Sequence, residues 1–176
     1  MMTTKMIALT LASLMAACSS SGMQHAAPAP ETARSCGGGS VASDGELARY
    51  EGCTHIRGHL AITGVSSLTS LATLRSVEGT LSISDTRSLY TLSGLEALTQ
   101  VDTLRLERNQ GLITASGLNS LIQARTVVIA RNPRLSKRYG LLAKLPSNST
   151  NLSVSDNRGL AAEGVSSSSG LRVGIL

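Results

Sequence analysis

The chain of 176 residues contains no phenylalanine, no tryptophan and only three tyrosines. Any core must therefore be built from leucine, isoleucine, valine and alanine. Globular cores take much of their buried area from aromatic rings. A solenoid, in which each coil fills a thin layer with aliphatic side chains, does not need them. The same absence argues against single-stranded nucleic-acid binding, which leans on base stacking, and specific nucleic-acid binding is not expected. Acids are also scarce, 11 against 16 Lys and Arg, for a net charge of +5. That excess is too small to name a partner.

Signs of catalysis are missing too. No Gly-x-Ser-x-Gly, Gly-x-Gly-x-x-Gly or Walker motif occurs, and no histidine lies beyond residue 59. His55 and His59 are four apart, which on a helix would suggest a metal pair. Here they flank Gly58 at the entry to an extended run, where that spacing does not bring side chains together. Neither enzyme activity nor a metal or cofactor is expected.

What is present begins with an address. Residues 1–17 hold one charge, Lys5, and then the apolar run Met6–Met15. It is too short to span a bilayer and suits the core of a signal peptide. Leu14-Met15-Ala16-Ala17-Cys18 resembles the lipobox of bacterial lipoproteins, departing at Met15, where leucine is usual. The resemblance implies cleavage before Cys18 and lipid on that cysteine. Ser19 implies an outer-membrane destination by the Gram-negative sorting rule. The alternative is a plain secretory signal cut near Ala17. Residues 18–43 are rich in Ser, Gly, Ala and Pro, and this composition predicts a flexible, lipid-anchored linker. With Cys18 lipidated, Cys36 and Cys53 remain as a pair, and an oxidising compartment favours their bonding. The alternatives, a redox pair or metal ligands, fit the spacing poorly. The loop between them contains Glu46–Tyr50, a short candidate helix that would cap the first coil.

The rest, 44–176, is read as one solenoid with clear repeats over 56–160. Leu60, Leu81, Leu104, Val127 and Leu152 align at steps of 21, 23, 23 and 25 residues. Two positions on lie Ile62, Ile83, Leu106, Ile129 and Val154. Eight positions on is leucine every time: Leu68, Leu89, Leu112, Leu135 and Leu160. The alternation is a short strand with one buried face. Five positions on, Asn109, Asn132 and Asn157 fall in the last three copies, and stacking would line them into a structural ladder at the turn. The return half steps by three, as in Leu89, Leu92, Leu95, Leu98 and Val101, which suits 3₁₀ turns or an extended arc. Gly94 and Gly117 sit at one equivalent place and predict a tight corner. After Leu160 the pattern fades, and Leu171–Ile175 is a candidate last strand, with Val173 aligned on Leu152. The fold class is a repeat solenoid of about five coils of 21–25 residues, leucine-rich-repeat-like or related.

The runs Ile56-Arg-Gly58-His-Leu60-Ala-Ile62 and Val77-Glu-Gly79-Thr-Leu81-Ser-Ile83, then Leu92-x-x-Leu95-x-x-Leu98-x-x-Val101, resemble the receptor L domain. That family is a right-handed parallel β-helix related to leucine-rich repeats. It is best known as the ligand-binding module of insulin- and EGF-type receptors, and also occurs in bacterial surface lipoproteins. The resemblance covers about residues 50–160. Neither aromatics on the sheet nor cysteine-rich modules accompany it here, so receptor-type hormone binding is not implied.

One cluster stands out as a candidate site. Arg105, Arg108, Arg125, Arg131, Arg134, Lys137 and Arg138 fall within 34 residues that contain one acid, Glu107. The repeat stacks Arg108 under Arg131, about 4.8 Å apart. Like charges so placed repel, and an anion nearby would relieve them. The expected function is therefore a cell-envelope lipoprotein, held to the membrane by its N-terminal lipid, whose non-catalytic solenoid binds a protein or an anionic polymer such as a polysaccharide. The alternative is a structural subunit of an envelope assembly, and the open ends of a solenoid allow self-association.

Overall fold

The computed structural model describes residues 33–136 and 151–157, and the backbone of 172–174. All lie within the unit Thr32–Leu176. The signal peptide, Cys18, Lys137, Arg138, Leu160 and the serine run 166–169 lie outside the described residues.

Seven parallel strands form one sheet in sequence order: β1 (Ser35–Val41), β2 (His55–Thr63), β3 (Ser76–Ser84), β4 (Gln100–Glu107), β5 (Gln123–Ala130), β6 (Asn151–Ser155) and β7 (Arg172–Gly174). The register pairs Leu60, Leu81, Leu104, Val127 and Leu152 in one row, and Ile62, Ile83, Leu106, Ile129 and Val154 in the next. Both rows point inward; all but the half-buried Leu152 are buried. Between them alternate small residues such as Ala61, Ser82 and Val128, half-buried on the outer face. This two-residue alternation is what an apolar layer on one side of a sheet demands.

The return half of each coil follows the step of three. Backbone N–H groups of Leu71 and Leu74 donate to Leu68 and Leu71, and those of Leu95 and Leu98 to Leu92 and Leu95. These are 3₁₀ bonds, so leucines three apart fall on the same inward face. Two such turns are regular enough to count as helices, Thr69–Leu71 and Ser116–Leu118. At Gly94 and Gly117 a side-chain carbon would lie 2.1 Å from the Leu68 carbonyl oxygen and 1.9 Å from that of Leu92. The corner brings neighbouring coils too close for any other residue.

Two expectations are corrected. Ser35–Val41 falls in the stretch 18–43 that composition assigns to a flexible linker, and it is β1. Gly38 serves proximity rather than flexibility: a side-chain carbon there would lie 2.1 Å from the His59 carbonyl oxygen. Pairing with β2 and the Cys36–Cys53 disulfide, with Cα atoms 6.0 Å apart, hold it in place. In β7, Val173 pairs with Val154 rather than Leu152, so the last strand sits two residues out of the register expected.

The first layer is closed by helix α1 (Asp44–Leu47) and a 3₁₀ turn, Ala48–Tyr50. Ser43 caps α1 by accepting from the Glu46 N–H, and Glu46 accepts from the Ala42 N–H, a variant of the reciprocal capping box. Leu47, Tyr50 and Cys53 are buried beneath it. Asp44 ties this cap to the next coil through the Ser66 hydroxyl and the N–H groups of Ser66 and Ser67. Those bonds, the Ser66 hydroxyl first, hold its carboxyl below the ordinary value.

Candidate functional site

Strands β2 to β6 are each followed by a residue with left-handed backbone. Gly64 has φ 61°, Asp85 56°, Arg108 55°, Arg131 56° and Asp156 55°. The twist turns the next side chain back into the layer, and so Val65, Thr86, Asn109, Asn132 and Asn157 are buried. The amides then join coil to coil. Asn109 Oδ1 accepts from the N–H and hydroxyl of Thr86. Asn132 Oδ1 accepts from the Asn109 N–H, and Asn157 Oδ1 from the Asn132 N–H. The Nδ2 groups of Asn109, Asn132 and Asn157 donate to the carbonyls of Ile83, Leu106 and Ile129, each in the preceding coil. Every polar atom of Asn132 is thus used inside the protein, which leaves this row nothing to offer a ligand.

The left-handed column itself points outward. Glycine occupies such backbone freely and aspartate tolerates it, but a side chain such as arginine costs about 1–2 kcal/mol there. Arg108 and Arg131 nevertheless stand in adjacent coils at this position. Their side chains are 46% and 65% exposed. They line a groove of about 860 Å³ that runs across the coils at the carboxyl ends of the strands, together with Asp85, Arg87, Gln110 and Asp156.

The arginines are not left to repel one another. Arg108 forms a two-pronged pair with Asp85, Nε to Oδ1 at 2.7 Å and Nη2 to Oδ2 at 2.9 Å. This hydrogen bonding, ahead of the opposing effect of burial, lowers the Asp85 carboxyl pKa, and it raises that of Arg108. Arg131 lies 3.7 Å from Asp156. The row reads acid, base, base, acid, which corrects the expectation of an unrelieved cationic stack. Those acids lie outside the 34-residue window that suggested it.

The seven predicted cations divide. Arg108 and Arg131 share the groove. Arg105 lies on the sheet face, bonded to Glu107 at 2.6 Å. Arg125 lies towards the other end of its strand, beside Asp102 at 3.3 Å. Arg134 is exposed after Pro133, and Lys137 and Arg138 fall outside the described residues. Asp85, Arg87 and Gln110 belong to the groove and escaped sequence reasoning, although Arg87, Gln110 and Pro133 occupy one repeat position. His55 and His59 are engaged separately: His55 with Ser76 and Glu78, and His59 Nδ1 with the Thr80 N–H. Among the described residues no cluster of three metal-ligating side chains occurs, and no helix is long and apolar enough to cross a membrane.

A family model described as the receptor L domain matches residues 52–145, more than half of the chain. The chain belongs to the receptor L domain family. Comparison with curated proteins and with solved structures gave no significant match. The matched residues contain β2 to β5 and most of the groove; β1 precedes them, and β6 and β7 follow. A receptor L domain is a ligand-binding, non-catalytic module. The groove is a charged recess at the carboxyl ends of the strands, lined by Asp85, Arg108, Arg131 and Asp156.

Proposed function

We propose that this chain is a lipid-anchored protein of the bacterial cell envelope, whose receptor L domain binds a protein partner along the corner groove without catalysis. One observation carries the reading: Arg108 and Arg131 stand side by side in a groove of about 860 Å³, flanked by Asp85 and Asp156. A complementary surface places acids opposite the two arginines and donors opposite the aspartates. Folded proteins offer such alternation, whereas a uniformly anionic polysaccharide meets both aspartates with like charge. The lipobox-like Leu14–Cys18 and the following Ser19 support a lipid anchor and an outer-membrane address. The solenoid is read as right-handed, the hand that parallel crossovers take almost without exception.

A photo-crosslinking residue at Gln110 tests the groove in intact cells. It should capture one discrete protein, and Arg108→Glu with Arg131→Glu should abolish that capture. Capture that survives both reversals overturns the groove reading. Metabolic labelling with a palmitate analogue tests the anchor: label on the wild type and none on Cys18→Ser is expected, and equal labelling refutes it.

One observation favours a second reading, a structural subunit. Among the described residues β1 is an edge strand and carries neither charge nor proline, and such edges accept a strand from another chain. Crosslinks through Gly37 within a complex of fixed stoichiometry would support it.

A further inference from the structure

A second cleft, of about 300 Å³, opens where β3, β4 and β5 begin. Five or six residues along each strand separate it from the corner groove, about 20 Å at strand rise. The register sets Gln100 beside Gln123, and Val77, Val101 and Ala124 in one row. The residues after that row, Glu78, Asp102 and Arg125, therefore fall on three adjacent strands. Together they line the cleft with the two glutamines.

The polar groups are oriented but not exhausted. Glu78 Oε1 lies 2.8 Å from His55 Nε2, and Asp102 Oδ1 lies 3.3 Å from Arg125 Nε. Each carboxylate is thus held by one oxygen, with its second oxygen directed to no described partner. Arg125 keeps its outer N–H groups, and its side chain is 71% exposed. The two glutamine amides each offer a donor pair and an acceptor.

We infer that this cleft is a binding site for a neutral sugar ring. Neighbouring hydroxyls of a pyranose are donors and acceptors at once. Carboxylates only accept, a guanidinium only donates, and amides do both. The cleft sets two carboxylates, a guanidinium and two amides on three adjacent strands, about 4.8 Å apart. Its lining holds two acids and one base, 1 − 2 = −1, so a phosphate or uronate is repelled. A cationic amine finds both carboxylates already paired with a base. The volume lies at the lower end of small-ligand pockets, about 300–1,000 Å³, which suits one ring rather than a chain.

Saturation-transfer NMR on the full-length protein with neutral methyl hexopyranosides, and separately with methyl uronosides, provides the test. Transfer to at least one neutral glycoside is expected. Gln100→Ala with Gln123→Ala should weaken it about tenfold or more, the scale of one or two lost hydrogen bonds. Asp102→Asn should weaken it as well, while Arg108→Glu with Arg131→Glu leaves it unchanged. Thermal melting shows whether each variant is folded, and Asp102→Asn is nearly isosteric should the glutamine pair fail. No transfer to any neutral glycoside overturns the proposal. So does equal transfer to folded variants of the cleft, or stronger transfer to uronosides. Loss of protein capture in the groove variant leaves this site untouched, so the two readings fail separately.

Discussion

Replacing Asn132 by leucine separates two accounts of the coil interior. If the layer needs only volume, leucine, apolar and of similar size, should be tolerated. Asn132 is fully buried, and removing its amide strands one buried backbone group and takes a bond from another. The Asn109 N–H loses its acceptor at 3.0 Å. The Leu106 carbonyl loses the amide donor at 2.8 Å but keeps its place in the ladder between β4 and β5. An unsatisfied buried group costs about 1–3 kcal/mol and a lost hydrogen bond about 0.5–1.5 kcal/mol, so the loss is about 1.5–4.5 kcal/mol. Against a total stability of about 5–15 kcal/mol this is a large fraction. Asn132→Ala should fall in the same range or beyond it, because the same bonds are lost and a void is added. Urea unfolding followed by circular dichroism measures both, with the midpoint falling and the slope unchanged. A leucine variant within about 1 kcal/mol of wild type would refute the reasoning and return the row to simple packing.

Three further outcomes follow from the structure. Arg131→Gly removes a side chain from left-handed backbone at the expense of an exposed pair worth about 0–1 kcal/mol. It should raise the unfolding free energy by up to about 1 kcal/mol, seen as a higher urea midpoint, while weakening partner capture; a lower midpoint would contradict the strain argument. Cys36→Ser with Cys53→Ser opens a loop of sequence separation 17 and should lose about 3 kcal/mol, read by the same melts with and without reductant. Asp44 and Asp85 are held below the ordinary aspartate value of 3.8. Their contribution is complete above that value and fades as pH falls below it, through the folded-state values. Asp44→Asn with Asp85→Asn should therefore flatten the acid limb of stability measured from about pH 5 down to pH 2. Parallel limbs would disprove the assignment.

The sequence shows the layer better than the surface, for a physical reason. A position that faces the core accepts few residue types, so Leu60, Leu81, Leu104 and Leu152 repeat visibly. Ladder positions demand a short amide, so Asn109, Asn132 and Asn157 repeat too. The left-handed position demands a backbone angle instead. Gly64, Asp85, Arg108, Arg131 and Asp156 meet it with different chemistry, and no pattern of residue types betrays them. Pairing across coils was hidden in the same way: Arg108 and Asp85 are 23 residues apart, so a local count of charges sees the arginines and misses the acid. β1 was hidden by its composition, since Gly37-Gly38-Gly39 signals freedom until the next coil claims the space beside Gly38.

The asparagine row also has a direction, and this makes the coils interchangeable. Asn109 receives from Thr86 just as Asn132 receives from Asn109, each across 23 residues. Excising residues 104–126 would bring Asn132 under Thr86 in the place Asn109 now holds, with strand rows and leucines still in step. Insertion of a duplicate block at the same seam would be accommodated likewise. A chain built this way can lengthen or shorten its corner groove by whole coils, while the cap at Asp44–Tyr50 stays fixed at one end.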